Sequence, residues 1–188
     1  GDESVVMPLR VAMVTNIPTP YRLPVFEQVA TTSGIDFCTF FCSGREPDRE
    51  WDLATSKFKQ VFLREKFINF RGRFIHINPD LWGKLRAFRP DVVITTGFNP
   101  SHLLAYAYAR LHGVRHIAMT DGTYQSETKL SAVHRWIRRI VFSRTQAFIG
   151  ASDGSLALYR SYGIESKRLF KSHLCANNAA FFSAPSVE

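Results

Sequence analysis

The sequence predicts an α/β protein on a parallel sheet, doubly wound with helices on both faces. Three observations carry that prediction. Four short apolar runs (11–14, 92–94, 117–119 and 147–149) are too short for helices and do not alternate; strands buried on both faces of a parallel sheet read this way. Each run ends in small or polar residues: Thr15-Asn16, Thr95-Thr96-Gly97, Thr120-Asp121-Gly122 and Gly150-Ala151-Ser152. Stretches of helical period separate them, and strands alternating with helices imply right-handed crossovers.

The elements follow in order. After the first strand, residues 23–31 set Leu23, Phe26, Val29 and Ala30 on one stripe, with Pro24 tolerated in the first turn. Strands are expected at 35–41 and 58–64. Asn78-Pro79 reads as N-cap and first helical residue of a helix that must stop near Arg89-Pro90. Asn99-Pro100 repeats the start signal and Gly113 supplies the stop, with Leu103, Leu104, Ala107 and Leu111 as the apolar face. Residues 130–144 form an amphipathic helix with Val133, Trp136, Ile137, Ile140 and Val141 on one side. Ser152 or Asp153 opens a last helix that Gly163 closes, and a final strand is expected over 168–173.

The chain has 188 residues, 45% hydrophobic and 21% charged, enough for a full core. Residues 1–9 read as an N-terminal tail or cloning remnant, 10–175 as one domain, and 176–188 as the start of a linker to a second domain outside this chain. The net charge of +8 asks for an anionic partner. Cys38, Cys42 and Cys175 form neither a CxxC pair nor an even framework, which fits a reducing compartment and no structural zinc. No apolar run reaches membrane-spanning length, and the six histidines are scattered along the chain. The histidines read as surface or core residues without chemistry, and GxSxG, HExxH and Cys/His signatures are absent.

Ligands of open α/β sheets sit beyond the carboxyl ends of the strands. The loop after the first strand, Asn16-Ile17-Pro18-Thr19-Pro20-Tyr21-Arg22, is neither GxGxxG nor a Walker loop, which argues against a dinucleotide or ATP there. It offers Asn16, Thr19, Tyr21 and Arg22 to a polyol or phosphate; the alternative is that the prolines only start a helix that Tyr21 and Arg22 cover. Asn99 reads first as an N-cap and second as a contact for a ligand hydroxyl. The cluster Thr120 to Glu127 is the most polar of the chain. Asp121 there suits a sugar hydroxyl or a developing positive charge, with Thr123 and Glu127 beside it; the alternatives are an Asx-turn at Asp121 and a helix-terminal charge at Glu127. Basic and aromatic residues interleave between Lys57 and Phe74. Lys129, Arg135, Arg138, Arg139 and Arg144 surround Trp136. Such patterns fit an anionic membrane surface, or a plain solvated helix face; no nucleic-acid signature accompanies them.

The run from Arg10 to Phe26, RVAMVTNIPTPYRLPVF, resembles the opening strand and helix of family 4 glycosyltransferases, the retaining GT-B enzymes. Pro90 to Gly97 is similar to their fourth strand, and Phe148 to Ser152 followed by Tyr162-Gly163-Ile164 to their strand, helix and G-I/V element. Asn177-Asn178 with Phe181-Phe182 is similar to the NGVD…F element that closes the N-terminal domain. The resemblance implies the Rossmann-like N-terminal half of a GT-B fold, which binds the acceptor, while an absent C-terminal domain holds the nucleotide-sugar and the E-x7-E glutamates. It implies a hexosyltransferase, inactive as this piece alone, in polysaccharide or lipid-linked glycan synthesis, with the nucleotide-sugar as co-substrate and neither cofactor nor metal. Where the family usually has a histidine after the fifth strand, this chain has Asp121, expected to contact the transferred sugar. Asn16, Thr19, Tyr21, Arg22, Asn99, Thr123 and Glu127 are expected on the acceptor side, and Arg135, Arg138 and Arg139 toward a membrane. The expected place is the cytoplasm, peripheral on the inner face of the cell membrane. The alternatives are a GT-B-like nucleotide-sugar epimerase and a non-catalytic Rossmann-like binding module.

Overall fold

The structure, a computed structural model, describes residues 7–16, 29, 31, 34–43, 59–120, 122, 124–127 and 130–171. Along the chain run β1 (Leu9–Thr15), β2 (Ile35–Phe41), β3 (Lys59–Phe62), β4 (Lys66–Phe70), β5 (Arg73–Ile77), α1 (Leu81–Phe88), β6 (Val92–Thr95), α2 (Pro100–His112), β7 (Arg115–Thr120), α3 (Tyr124–Glu127), α4 (Ala132–Ser143), β8 (Ala147–Gly150), α5 (Asp153–Ser161) and β9 (Leu169–Lys171). Seven strands form one parallel sheet in the order β3-β2-β1-β6-β7-β8-β9, and β4 and β5 form a separate antiparallel pair. The doubly wound Rossmann-like prediction holds.

The runs that predicted strands are the buried centre of the sheet. Val11 and Met13 pack with Phe37, Ile94, Met119 and Ile149 on one face, where Val29 covers them. Ala12, Val14, Phe40 and Val93 point to the other face, under Leu81, Leu85, Ala105 and Ala109 of α1 and α2. That face continues through Ala118 and Phe148 beneath Phe142 of α4 and Leu156 and Tyr159 of α5. Alternate residues thus serve two opposed cores, which explains the lack of polar alternation. Cys38 and Cys42 are free, and burial pushes their thiols up to about 11 and about 12, so both are inert packing groups.

Four expectations need correction. First, the basic-aromatic stretch, in which a strand is expected only over 58–64, also carries the β4–β5 hairpin. Its turn uses Arg71 and Gly72, both at positive φ, and arginine there lacks the usual Asn-Gly hairpin signal. Second, Asn78 does not cap a helix: Asp80 is the N-cap of α1, while Asn78 is buried and bonds the carbonyls of Cys42 (2.7 Å) and Arg64 (2.9 Å). Third, α2 faces the sheet with His102, Ala105, Tyr108 and Ala109 and leaves Leu111 exposed; the small alanines allow close helix–sheet approach. Fourth, the apolar side of α4 is not a core face throughout: Val141 and Phe142 are buried while Val133, Trp136 and Ile140, on the expected side of the helix, are exposed. The caps Asn99 and Ser152 and the left-handed Gly113 and Gly163 stand where expected. The helix over 23–31 lies outside the described residues except for Val29 and Thr31, both helical.

Candidate functional site

All strands of the main sheet are parallel, so their carboxyl ends share one rim. The strand order reverses between β1 and β6, and the crossovers on either side diverge there, opening a crevice. Asn16 follows β1 and Asn99 follows β6, which puts both at that point.

A closed hydrogen-bond network joins them. Asn99 caps α2 by accepting from the His102 amide (3.1 Å), and its own side-chain amide donates to Asn16 Oδ1 (2.8 Å). The buried His102 ring accepts from the Thr96 amide at Nδ1 (3.1 Å), which fixes the proton on Nε2; Nε2 then donates to Asn16 Oδ1 (3.0 Å). Burial pushes His102 down to about 4, so the ring is a neutral donor at physiological pH. Asn16 Oδ1 is therefore held by two donors, and among the described residues its amide NH2 remains available to a ligand. Asn99 is the N-cap expected of it, and its remaining amide group is turned to Asn16.

A second buried histidine steadies the next strand. Thr145 Oγ1 donates to the Val141 carbonyl (2.8 Å), so it accepts from His116 Nδ1 (2.8 Å), and Nε2 accepts from Thr95 Oγ1 (2.8 Å). Burial, together with the neighbouring His102, lowers His116 to about 4. His102 and His116 are thus core residues, as expected of the histidines, and their rings brace the rim. The signal lay in spacing: His102 stands three residues after an N-cap, where its amide and ring both reach the preceding loop.

Beyond β7 the rim is tied to α5. Ser155 Oγ donates to the Gly122 carbonyl (2.6 Å), and the buried Tyr159 hydroxyl donates to the Ile149 carbonyl (3.1 Å). Gly150 makes this possible: a Cβ there would stand 2.9 Å from Ser155 Cβ and 3.3 Å from the Leu156 amide nitrogen. A narrow cleft, part of it open to solvent, lies here, lined by Gly97, Phe98, Thr120, Glu127, Leu158 and Tyr159 among others.

Glu127 is held away from free solution. Arg138 grips it with Nε and Nη2 at 3.1–3.3 Å, the two side chains are only 15% and 11% exposed, and the guanidinium stacks on Phe98 at 4.2 Å. Arg138 therefore turns inward, which corrects its expected membrane-facing orientation. Its i−3 and i+1 neighbours Arg135 and Arg139 are exposed and line a shallow open groove with Tyr124, Ser161 and Tyr162. Thr19, Tyr21, Arg22, Asp121 and Thr123 lie outside the described residues. Among the described residues no cluster of His, Cys, Asp and Glu could hold a metal ion, and no helix is long and apolar enough to cross a membrane.

Solved structures that share this architecture include UDP-N-acetylglucosamine 2-epimerases and a protein in complex with UDP and glucose. A UDP-N-acetylglucosamine 2-epimerase matches with a TM-score of 0.63 at 12% identity, over 88% of this chain and 48% of that one. The UDP-GlcNAc 2-epimerase of Neisseria meningitidis, bound to UDP-GlcNAc, matches at 0.56 and 14% identity, over 87% and 46%. Anabaena Alr3699/HepE, in complex with UDP and glucose, matches at 0.59 and 9% identity, over 87% and 43%. The chain spans about half the length of these structures, and at such identities the likeness is one of fold. No curated protein matches the sequence. The model of Glycosyltransferase Family 4 matches residues 34–170, most of the sheet and every helix from α1 to α5, and the chain belongs to that family.

Proposed function

We propose that this chain is the acceptor-binding, N-terminal half of a retaining glycosyltransferase. The observation that carries the reading is the neutral Asn16–Asn99–His102 network at the strand-order reversal, in a chain of this family. Amide donors and acceptors held rigid, with no net charge, suit sugar hydroxyls better than a free phosphate. A second domain supplies the nucleotide-sugar site, in keeping with a chain that spans half of the structures it matches. In the reaction the acceptor oxygen bonds to the anomeric carbon while the bond from that carbon to the diphosphate breaks. The nucleoside diphosphate departs, the acceptor proton passes to the departing phosphate, and the anomeric configuration is kept. Asp121 contacts the transferred sugar. Thr19, Tyr21, Arg22 and Thr123 complete the acceptor side, with Glu127 acting through Arg138. No cofactor is assigned. The acceptor is a glycan or a lipid-linked glycan; Arg135 and Arg139, flanking the exposed Trp136, face an anionic membrane from the cytoplasm.

The test uses the full-length protein with labelled nucleotide-sugars and hydroxyl acceptors. Transfer is expected, reduced at least about tenfold by Asp121→Ala, the loss of one charge-stabilising contact. Unchanged transfer by that variant removes Asp121 from the mechanism. The epimerase reading is kept because the matched solved structures include UDP-GlcNAc 2-epimerases. It expects an isomerised free nucleotide-sugar in reactions without acceptor.

A further inference from the structure

We propose that the β4–β5 hairpin is a docking wedge that seats on an anionic lipid bilayer. Its root is fixed. The Arg64 amide donates to both carboxylate oxygens of Asp80 (3.0 and 3.1 Å), Asn78 binds the Arg64 carbonyl, and His76 pairs with Glu65 at 3.0 Å. These contacts clamp the entry and exit of the ribbon to α1 and the edge of the sheet. From that root the ribbon runs out exposed: Phe67, Phe70 and Phe74 are each more than half open to solvent, Phe74 at 77%, and Ile68 is partly so. A two-stranded hairpin alone in water is marginal, and four large apolar side chains in a twelve-residue span are more than a solvated loop needs. The structure therefore presents an apolar ribbon that wants a cover.

The charge pattern names the cover. Lys66, Arg71 and Arg73 lie in the same span, residues 66–77 contain no acidic residue, and Arg71 stacks on Phe70 at 5.3 Å. A second copy of the chain would set cations against cations. A bilayer with anionic headgroups accepts the cations at its surface and the phenylalanines below it. The parallel sheet sends β3 toward the same rim as Asn16, and three residues separate the end of β3 from the hairpin. The wedge thus holds the ligand-binding rim near the membrane surface, where a lipid-linked acceptor would be met. In that respect it rests on the membrane part of the reading above, while the lipid contact itself needs no sugar transfer.

Sedimentation of this chain with vesicles of phosphatidylcholine, with or without phosphatidylglycerol, tests the proposal. Binding is expected only to the anionic vesicles. Phe70→Ser/Phe74→Ser is expected to weaken it by about tenfold or more, and Arg71→Gln/Arg73→Gln by about tenfold with a shallower salt dependence. Arg135→Gln/Arg139→Gln is the discriminating control. If it abolishes binding while both hairpin variants bind like wild type, the wedge is overturned and the membrane reading stands. If wild type binds no vesicle, both fail. Phe70→Trp needs no disruptive change: its added fluorescence should be quenched by brominated lipid, and the absence of quenching overturns the wedge even if the serine variants misfold. Dimerisation that the serine variants disperse, or equal binding to a single-stranded oligonucleotide, also overturns it.

Discussion

His102 and His116 should make this fold acid-sensitive well above the range where carboxylates titrate. Both have an ordinary value of 6.5 and are pushed down to about 4 in the folded protein. Their sign is that of a buried neutral base. The unfolded chain takes up a proton below about pH 6.5 and the folded chain does not, so stability is full above that value and drains away as pH falls toward 4. At pH 5 the unfolded state gains about 2 kcal/mol from each ring, or about 4 kcal/mol together, against a typical domain stability of about 5–15 kcal/mol. With a urea slope of about 2 kcal/mol per molar, the midpoint should drop by about 2 M between pH 7 and pH 5. The donors fix what must break: protonated His102 would turn Nδ1 toward the Thr96 amide, donor against donor. The assay is urea unfolding at both pH values for wild type, His102→Asn and His116→Asn. Each variant starts less stable and loses about half as much on acidification. Nuclear magnetic resonance of the ring protons gives the direct check. The reasoning fails if the variants show the wild-type pH slope, or if all six histidine rings titrate near 6.5.

Two further perturbations probe the rim. Gly150→Ala puts a methyl 2.9 Å from Ser155 Cβ and against α5 backbone, so α5 must shift; overpacking of this kind costs about 1–3 kcal/mol, read as a melting temperature lower by roughly 2–12 °C. Glu127→Gln leaves the Arg138 charge largely enclosed against Phe98 and should cost about 1–3 kcal/mol, whereas Glu127→Gln/Arg138→Met recovers most of that loss in a double-mutant cycle. An additive double mutant would show that the pair is not coupled.

The strands were legible because burial on both faces leaves no room for polar residues: Val11 to Val14 and Val92 to Ile94 have nothing but core around them. Asn99 and Gly113 were legible because capping is local chemistry, complete within one turn. Asn78 carries the same Asn-Pro signature as Asn99, yet its partners sit 36 and 14 residues away, and a cap rule cannot see them. The helix α4 stands where its amphipathic pattern puts it, but the pattern does not tell which part of the apolar side is buried. Its apolar arc is wide, and which edge meets the sheet is decided by Phe142 packing on Phe148 and Tyr159, not by the arc itself. The pairing of Glu127 with Arg138 needs α3 and α4 to fold back on each other, a geometry that composition does not encode. At the candidate site, sequence position alone correctly put Asn16 and Asn99 at strand ends, while the histidine that locks them together is marked in the sequence only by its spacing from the Asn99 cap, and its bond to Asn16 needs α2 laid on the sheet.

The reversal of strand order beside β1 has a consequence for how such a protein can change its ligand. The residues that meet there are anchored to different halves of the sheet by backbone that each half builds for itself. Loops on either bank can lengthen, shorten or exchange side chains without disturbing the packed layers beneath. A single scaffold can thereby diversify its chemistry by editing two short seams, leaving the rest of the molecule to be inherited intact.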